Sequence, residues 1–169
     1  MGLDLPVDHV AFGTSDLAAA IEIVESLGLA MTPIGEVQWP GAGGSYRARA
    51  VSIVLADGYL DVIEYDGAEH RLAPTGVVLR ATDIAALRAE LVQAGIRCGR
   101  PYVVVRRFFG AEPDQRYTIF GTDTRHACGL PQSVITTEHA SPMRNSAEHT
   151  SGVVSLEDGA RRLGVELSA

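Results

Sequence analysis

Hydrophobic and polar positions alternate along residues 7–14, VDHVAFGT, with the period of two that is typical of a strand. The alternation places His9 on a face of small side chains, while Val10 and Phe12 share the opposite face. We expect this apolar face to pack against a helix. The first element is therefore predicted to be a strand with one histidine on its other face.

A helical pattern follows this strand directly. Its apolar positions recur at the spacing of one helix face, at Leu17, Ile21, Val24 and Leu27. Thr14 or Ser15 is expected to cap the start of the helix, and Gly28 is expected to end it. The pattern predicts a strand followed by a capped amphipathic helix.

The next stretch of sequence combines strand signals with turn signals. Strands are predicted near residues 30–34, 49–55 and 59–65, and a tight Asp-Gly turn joins the last two. Before the second of these strands, Pro40 and three glycines in the segment QWPGAGGSYR predict a long mobile loop of the kind that borders binding sites. The first unit thus has the order β-α-β-β-β.

The same unit occurs twice in the chain. Its pattern returns without a gap 67 residues later, and the paired positions include Val10 and Val77, Asp16 and Asp83, Leu17 and Ile84, and Gly28 and Gly95. Two copies of one unit predict a pseudo-symmetric fold with a shared core. His9 corresponds to Gly76 in the second copy, so any chemistry of the imidazole is present once per chain.

The chain accordingly divides into three predicted parts. Residues 1–67 form the first β-α-β-β-β module, residues 75–140 form the second, and residues 141–169 form a C-terminal extension that resembles the start of a third. The strands of the second module are expected near 102–108, 116–120 and 133–137. The extension has apolar residues to cover and is expected to pack on a sheet edge of its own chain or of a second copy, which predicts a homodimer.

Composition narrows the classes of function. The chain has 169 residues, of which 46% are hydrophobic and 21% are charged, so it can bury the core of one domain or of two small ones. Its formal net charge of -7 argues against nucleic-acid binding, which needs a basic face. No apolar run approaches the ~20 residues of a membrane span. The N-terminus shows no signal-peptide pattern, and we expect a cytoplasmic protein without a membrane partner.

Five segments occur in a characteristic order over nearly the whole chain: VDHVAFGTSDLAAAIEIVESLGL, WPGAGGSYRAR, DGYLDVIEYD, EHASP and HTSGV. Together they resemble the glyoxalase-like domain proteins of the vicinal oxygen chelate superfamily. The resemblance implies an α+β fold of paired β-α-β-β-β modules, whose curled mixed sheets enclose a cleft that binds the ligand. It implies no single reaction, because the members include glyoxalases, extradiol dioxygenases, epimerases, antibiotic-inactivating transferases and drug-sequestering proteins.

In metal-using members of this superfamily, ligands come from the first and last strands of each module. By resemblance, His9 holds the first-strand position and Asp61 the fourth-strand position, with a side chain one methylene shorter than the family's glutamate. In the second module the first-strand position is Gly76, and Glu138 and His139 stand at the end of the last strand. The resemblance implies zinc, nickel, manganese or iron at an incomplete site of His9, Asp61 and His139. Glu138 joins His9 and Asp61 as a candidate catalytic residue.

Four further residues are candidates for the ligand pocket. Trp39 lies in the glycine-rich segment near Tyr46, where its ring could cover a flat ligand or serve as an anchor on the sheet. Arg47 and Arg49 alternate on one face of a strand and could bind a carboxylate or a phosphate, or stay at the surface. Arg106, on a later strand, is open to the same two interpretations.

Two functions agree with these features. In the first, a lyase, isomerase or dioxygenase uses a weakly held metal on His9 and Asp61 to polarise a substrate oxygen, while a carboxylate moves a proton. In the second, the same cleft binds or sequesters a small metabolite without catalysis, as in proteins of the bleomycin-resistance type. Retention of His9 and Asp61 favours the enzyme, and Gly76 favours the binding protein.

Overall fold

The structure of the protein is a computed structural model. It describes residues 5–41, 43–68, 71–108, 114–122, 133–137 and 154–167. Within these ranges, no helix is both long enough and apolar enough to cross a membrane.

In the described part of the chain, the strands and helices form two similar units and a final helix. The first unit contains β1 (Val7–Thr14), α1 (Leu17–Ser26), β2 (Gly35–Gly41), β3 (Gly44–Val54) and β4 (Tyr59–Glu64). The second unit contains β5 (Ala73–Ala81), α2 (Ile84–Gln93), β6 (Tyr102–Phe108), β7 (Gln115–Thr122) and β8 (Ser133–Thr137). The last helix is α3 (Leu156–Arg162). Both units have the β-α-β-β-β order that the repeat predicts.

The strands form a closed barrel in the order β1-β4-β3-β2-β6-β7-β8-β5. In each unit the first and fourth strands run parallel, and the other neighbouring strands run antiparallel. The two units join through antiparallel pairs of β1 with β5 and of β2 with β6. The α+β fold of paired mixed sheets is therefore confirmed, and the two sheets close into one barrel around a shared interior.

The helices α1 and α2 occupy equivalent places in the two units, and each begins after an aspartate. Asp16 Oδ1 accepts a hydrogen bond from an amide of the first turn at 3.0 Å, and Asp83 Oδ1 does the same at 2.9 Å. The predicted cap of α1 at Thr14 or Ser15 is wrong, since the Thr14 hydroxyl instead accepts from the amide of Asp16. An aspartate satisfies an amide at the helix start and also places negative charge at the positive end of the helix dipole.

The glycine-rich segment forms a hairpin, so the mobile loop predicted there is wrong, as is the strand predicted at 30–34. β2 and β3 pair along the whole of β2, with Trp39 opposite Tyr46. Gly44 follows the turn with a φ of 134°, a backbone conformation that favours glycine. The pairing of β2 with β6 covers the first four residues of β2, so Pro40 lies where its missing amide hydrogen costs no bond to β6.

The outward face of the first unit packs beneath α1 and α3. This core includes Val10, Phe12, Val24, Leu60, Leu156 and Ala160. At Gly159, α3 lies so close to the barrel that an added Cβ atom would be 2.5 Å from Leu55 Cδ1. The C-terminal helix therefore packs on an outer face of its own chain and not on a sheet edge as expected, because the strands pair all round the barrel. The homodimer stays a prediction.

Candidate functional site

The barrel encloses a cavity of about 450 Å³. Strand alternation directs one face of each lining strand into this space. Much of the wall is apolar or aromatic and includes Val37, Trp39, Ile63, Val78, Val104 and Ile119. The lining also includes the buried polar side chains of His9, Asp61 and Tyr117. The cavity is thus a mainly apolar chamber with a cluster of polar groups.

His9 and Asp61 lie on the inward faces of neighbouring strands, as predicted. β1 runs parallel to β4 with Ala11 opposite Asp61, so His9 lies two residues earlier on the same face. His9 Nε2 is 3.9 Å from Asp61 Oδ2. His9 is 5% exposed and Asp61 is 2% exposed, so both groups depend on protein partners for their hydrogen bonds.

Two contacts hold the imidazole ring of His9 in place. Its Nδ1 lies 2.9 Å from Asp8 Oδ2, and the ring stacks on Tyr59 with a centroid distance of 4.2 Å. Arg80 Nη1 lies 4.0 Å from the other Asp8 oxygen. Because a carboxylate only accepts hydrogen bonds, this contact requires a proton on Nδ1, and in the neutral imidazole the lone pair then lies on Nε2, on the side of Asp61.

Asp61 is held by Arg106 and Ser52. Arg106 Nη1 donates a hydrogen bond to Asp61 Oδ2 at 2.5 Å, and Nη2 donates to Ser52 Oγ at 2.5 Å. The Ser52 hydroxyl in turn donates to Asp61 Oδ1. Ser52 lies opposite Asp61 on the neighbouring β3, whereas Arg106 comes from β6 in the second unit. The ion pair therefore links the two units through the barrel interior.

Burial and the charge of Asp61 determine the protonation states around this pair. Burial acts to lower the pKa of Arg106, but the charge of Asp61, together with smaller contributions, outweighs it and the pKa is raised. Burial raises the pKa of Tyr59 and of Tyr117, and it raises the pKa of Tyr65 to about 12. At neutral pH these phenols therefore stay protonated and Arg106 stays charged.

The described residues do not fit a tightly held divalent metal. Within the described ranges, no three His, Cys, Asp or Glu side chains come together in a way that could hold one. The Asp61 oxygen nearest His9 already accepts the guanidinium of Arg106, and that positive charge repels a second cation. Two protein ligands also fall short of the three or four that such metals need.

The structure describes some of the other residues that the sequence predicted for the site, and two of them line the cavity. Gly76 lines the cavity and contributes no side chain there. Trp39 lines the cavity as well, so its ring can contact a ligand inside the barrel. Tyr46 is 53% exposed and stacks on Trp39 with a centroid distance of 6.1 Å. Glu138 and His139 lie outside the described residues.

Arg47 and Arg49 lie on the outer face of β3, outside the barrel cavity, where they line a second pocket together with Trp39 and Tyr46. Their place in a ligand pocket stays a prediction. Alternation along β3 directs the small side chains of Ala48 and Ala50 inward. Arg49 instead donates two hydrogen bonds to Glu64, at 2.7 and 2.8 Å. The shared face of the two arginines was predicted, but it is the outward one.

Three members of the polar cluster are not predicted to belong to it by the sequence analysis: Arg106, Ser52 and Tyr117. The signal for Arg106 lies in the alternation of β6, where Tyr102 and Val104 line the cavity and Arg106 is the next residue in phase. Ser52 carries no comparable signal, because its role depends on its position opposite Asp61.

The family model described as a glyoxalase-like domain matches residues 7–159 of this chain. The chain belongs to the glyoxalase-like domain family. The resemblance to glyoxalase-like domain proteins that the sequence shows is therefore confirmed. A search of curated proteins finds no match.

Solved structures are similar to this glyoxalase-like protein at low sequence identity. A methylmalonyl-CoA epimerase from Mycobacterium tuberculosis has a TM-score of 0.53 and 16% identity, over 86% of this chain and 97% of its own. A hypothetical protein from Bacillus halodurans has a TM-score of 0.57 and 11% identity, over 82% and 98%. A 4-hydroxymandelate synthase mutant from Streptomyces coelicolor has a TM-score of 0.55 and 11% identity, over 95% and 56%. These similarities show the fold alone.

Proposed function

We propose that this glyoxalase-like protein binds a small, mainly apolar organic molecule inside its barrel, and that it does so without a divalent metal. The main support is the buried ion pair in which Arg106 Nη1 lies 2.5 Å from Asp61 Oδ2. This pair puts a fixed cation at the carboxylate to which the family resemblance assigns a metal.

The size and lining of the cavity support binding of a small molecule. Ligand pockets commonly measure about 300–1,000 Å³ and are mostly apolar with a few polar groups. This cavity measures about 450 Å³ and has that character. Trp39 lies in its wall with Tyr65 edge-on at a centroid distance of 5.9 Å, so aromatic faces are available to a flat ligand.

A metal at Asp61 would have to displace the guanidinium of Arg106. Arg106 is 2% exposed and also donates to Ser52, so it has no solvated position to move to without losing both partners. Breaking a buried ion pair in this way costs about 3–5 kcal/mol. That cost opposes metal binding at Asp61 and favours a site without a metal.

A metal-assisted lyase, isomerase or dioxygenase is the second candidate, and the hydrogen bond between His9 and Asp8 favours it. A carboxylate behind an imidazole orients the ring and raises its basicity, which suits a metal ligand and a general base alike. Such an enzyme needs a third protein ligand, for which Glu138 and His139 are the sequence-based candidates. Stoichiometric zinc, nickel, manganese or iron in protein purified without chelator would support this candidate.

An NMR titration with 4-propylphenol tests the proposed function. In chelator-treated protein we expect shifts in the amides of β1, β4 and β6 and in the Trp39 indole, with an affinity that equimolar zinc does not change. Binding that appears only with zinc, or no binding at all, would contradict the proposal.

Two neighbouring valines on β6 provide a matched pair of variants for the same titration. Val104 lines the cavity, whereas Val103 is exposed. We expect Val104→Phe to fill the cavity and weaken binding, and Val103→Phe to leave binding unchanged. Equal effects of the two substitutions would place the ligand outside the barrel.

A further inference from the structure

The part of the cavity lined by His9 and Asp61 presents two hydrogen-bond acceptors. Asp8 Oδ2 accepts a hydrogen bond from Nδ1 of His9 at 2.9 Å, and in the neutral imidazole this leaves a lone pair on Nε2. Asp61 Oδ2 accepts from Arg106, and a carboxylate oxygen has room for a second donor. Nε2 and Oδ2 are 3.9 Å apart, which is too far for a hydrogen bond between them. Both atoms therefore remain available to a ligand.

Two acceptors at this spacing match a group that carries two donors. A nitrogen atom about 2.9 Å from each acceptor can direct one N–H to His9 and one to Asp61. A primary amino or amide group supplies two such donors, a hydroxyl supplies one, and an ether supplies none. A carboxylate would bring its own negative oxygens against those of Asp61.

The charge of the head group is limited by Arg106. Its guanidinium lies 2.5 Å from Asp61, so the pair is balanced before a ligand enters. A cationic head group would be repelled by Arg106, and an anionic one by the oxygens of Asp61. An uncharged head group avoids both penalties.

We infer that the ligand carries an uncharged head group with two N–H donors, such as an aromatic amine or a primary amide, on an apolar body. This inference rests on the proposed function and names the ligand class for the same cavity. A ligand without donors covers the lone pairs of His9 and Asp61 and leaves them without a partner, which weakens its binding.

Four probes with the same propylbenzene body test the ligand class: 4-propylaniline, 4-propylphenol, 4-propylanisole and 4-propylbenzoate. They are titrated into chelator-treated protein in a buffer in which the aniline is uncharged. We expect affinity to fall from the aniline to the phenol to the anisole, with about tenfold between the first and the last, and the benzoate to bind most weakly.

Two results separate this inference from the proposed function. Equal affinities for the aniline and the anisole, or tightest binding of the benzoate, would overturn the inference and leave binding in the barrel intact. If none of the four probes binds, the proposed function fails and the inference fails with it.

The variant His9→Phe assigns the preference to Nε2. A phenyl ring can keep the stack on Tyr59, which has a centroid distance of 4.2 Å, but it has no acceptor. We expect the ratio of the 4-propylaniline affinity to the 4-propylanisole affinity to narrow. The aniline loses the acceptor at Nε2 and keeps the one at Asp61, whereas the anisole no longer covers an unpaired Nε2. An undiminished preference for the aniline would overturn the inference.

A measurement on the unmodified protein covers the case in which this variant fails to fold. Long-range nitrogen–proton NMR spectra report which nitrogen of His9 carries the proton. We expect a protonated Nδ1 and a bare Nε2 whose signal moves when 4-propylaniline is added. A proton on Nε2 in the free protein would remove one acceptor and overturn the inference.

Discussion

The two units of the barrel share a backbone plan but differ in the chemistry of their inward faces. Their helices begin after Asp16 and Asp83, which hold equivalent places in the repeat. The inward face of the first unit carries His9 and Asp61, whereas Gly76 stands in the second unit at the position equivalent to His9. Both units have the residues that form strands and helices, whereas among the described residues only the first unit has a histidine at the first-strand position.

From the second unit, Tyr117 lines the same cavity, and Arg106 bonds the polar groups of the first unit directly. Its guanidinium crosses the interior from β6 and bonds both Asp61 and Ser52 of the first unit. The second unit therefore has no side chain at its first-strand position, Gly76, but it contributes a cation from β6. The inward faces of the two units therefore form one polar cluster, whereas their outward faces pack in separate apolar clusters.

Substitution of Arg106 is the largest expected perturbation of this coupling. Arg106→Ala leaves Asp61 buried without its cation, and we expect the free energy of unfolding to fall by about 3–5 kcal/mol. Arg107→Ala is the matched control, since Arg107 follows on the same strand but forms its ion pairs, with Asp114 and Glu36, at the partly exposed surface. Urea unfolding of the two variants measures the difference, and a similar small loss in both would show that the ion pair does not couple the units.

The second largest effect is expected where α3 covers the first unit. Leu156 is buried in the core beneath α1 and α3, so Leu156→Ala should cost roughly 3 kcal/mol. Val92→Ala, at an exposed position of α2, is the control and should cost little. Hydrogen exchange in the Leu156 variant should rise in β4 before it rises in β7. An equal rise in both strands would show that α3 does not belong to one unit.

Local patterns were sufficient to predict most of the backbone. The strands at Val7–Thr14, Tyr102–Phe108 and Ser133–Thr137 have the predicted bounds, because alternation of side chains is a property of each segment by itself. The glycine-rich hairpin was mispredicted because Pro40 and its neighbouring glycines signal a loop. The pairing of Trp39 with Tyr46 on the next strand is a tertiary feature that such signals do not contain.

The candidate site could be predicted only in part, because it depends on which strands are neighbours. The shared face of His9 and Asp61 follows from alternation and the order of strands in the family. The bond of Arg106 to Asp61 requires β6 to lie across the barrel from β4, which no local pattern states. Alternation also leaves open which face is inward, so the outward position of Arg47 and Arg49 could not be predicted from their shared face.

Substitution of the two aspartates that cap α1 and α2 tests whether the units are equivalent, and the expected loss of stability is smaller. Asp16→Ala and Asp83→Ala each remove a carboxylate that accepts from amides of the first turn, and each should cost about 1 kcal/mol. Thermal unfolding of the two variants should show similar losses. A large inequality would mean that the two helices contribute differently despite their equivalent positions.

The smallest expected effect concerns Glu64 on the outer face. The hydrogen bond from Arg49 lowers the pKa of Glu64 from its usual 4.5, and burial opposes this only in part. Because the folded pKa is lowered, the stabilisation is complete above the usual value and is lost as the pH falls through the lowered one. Since Arg49 is largely exposed, Glu64→Gln should reduce the melting temperature only slightly at neutral pH and not at all in strong acid. A reduction of equal size at both pH values would contradict the role of this pair.

Zinc titration distinguishes most directly between Arg106 and a metal as the cation at Asp61. Calorimetry is carried out on chelator-treated protein and on its His9→Phe variant, with thermal melts to confirm that the variant is folded. We predict no stoichiometric zinc uptake by the unmodified protein and equal heats for the two proteins. Stoichiometric uptake by the unmodified protein that is lost in the His9→Phe variant would contradict a metal-free site.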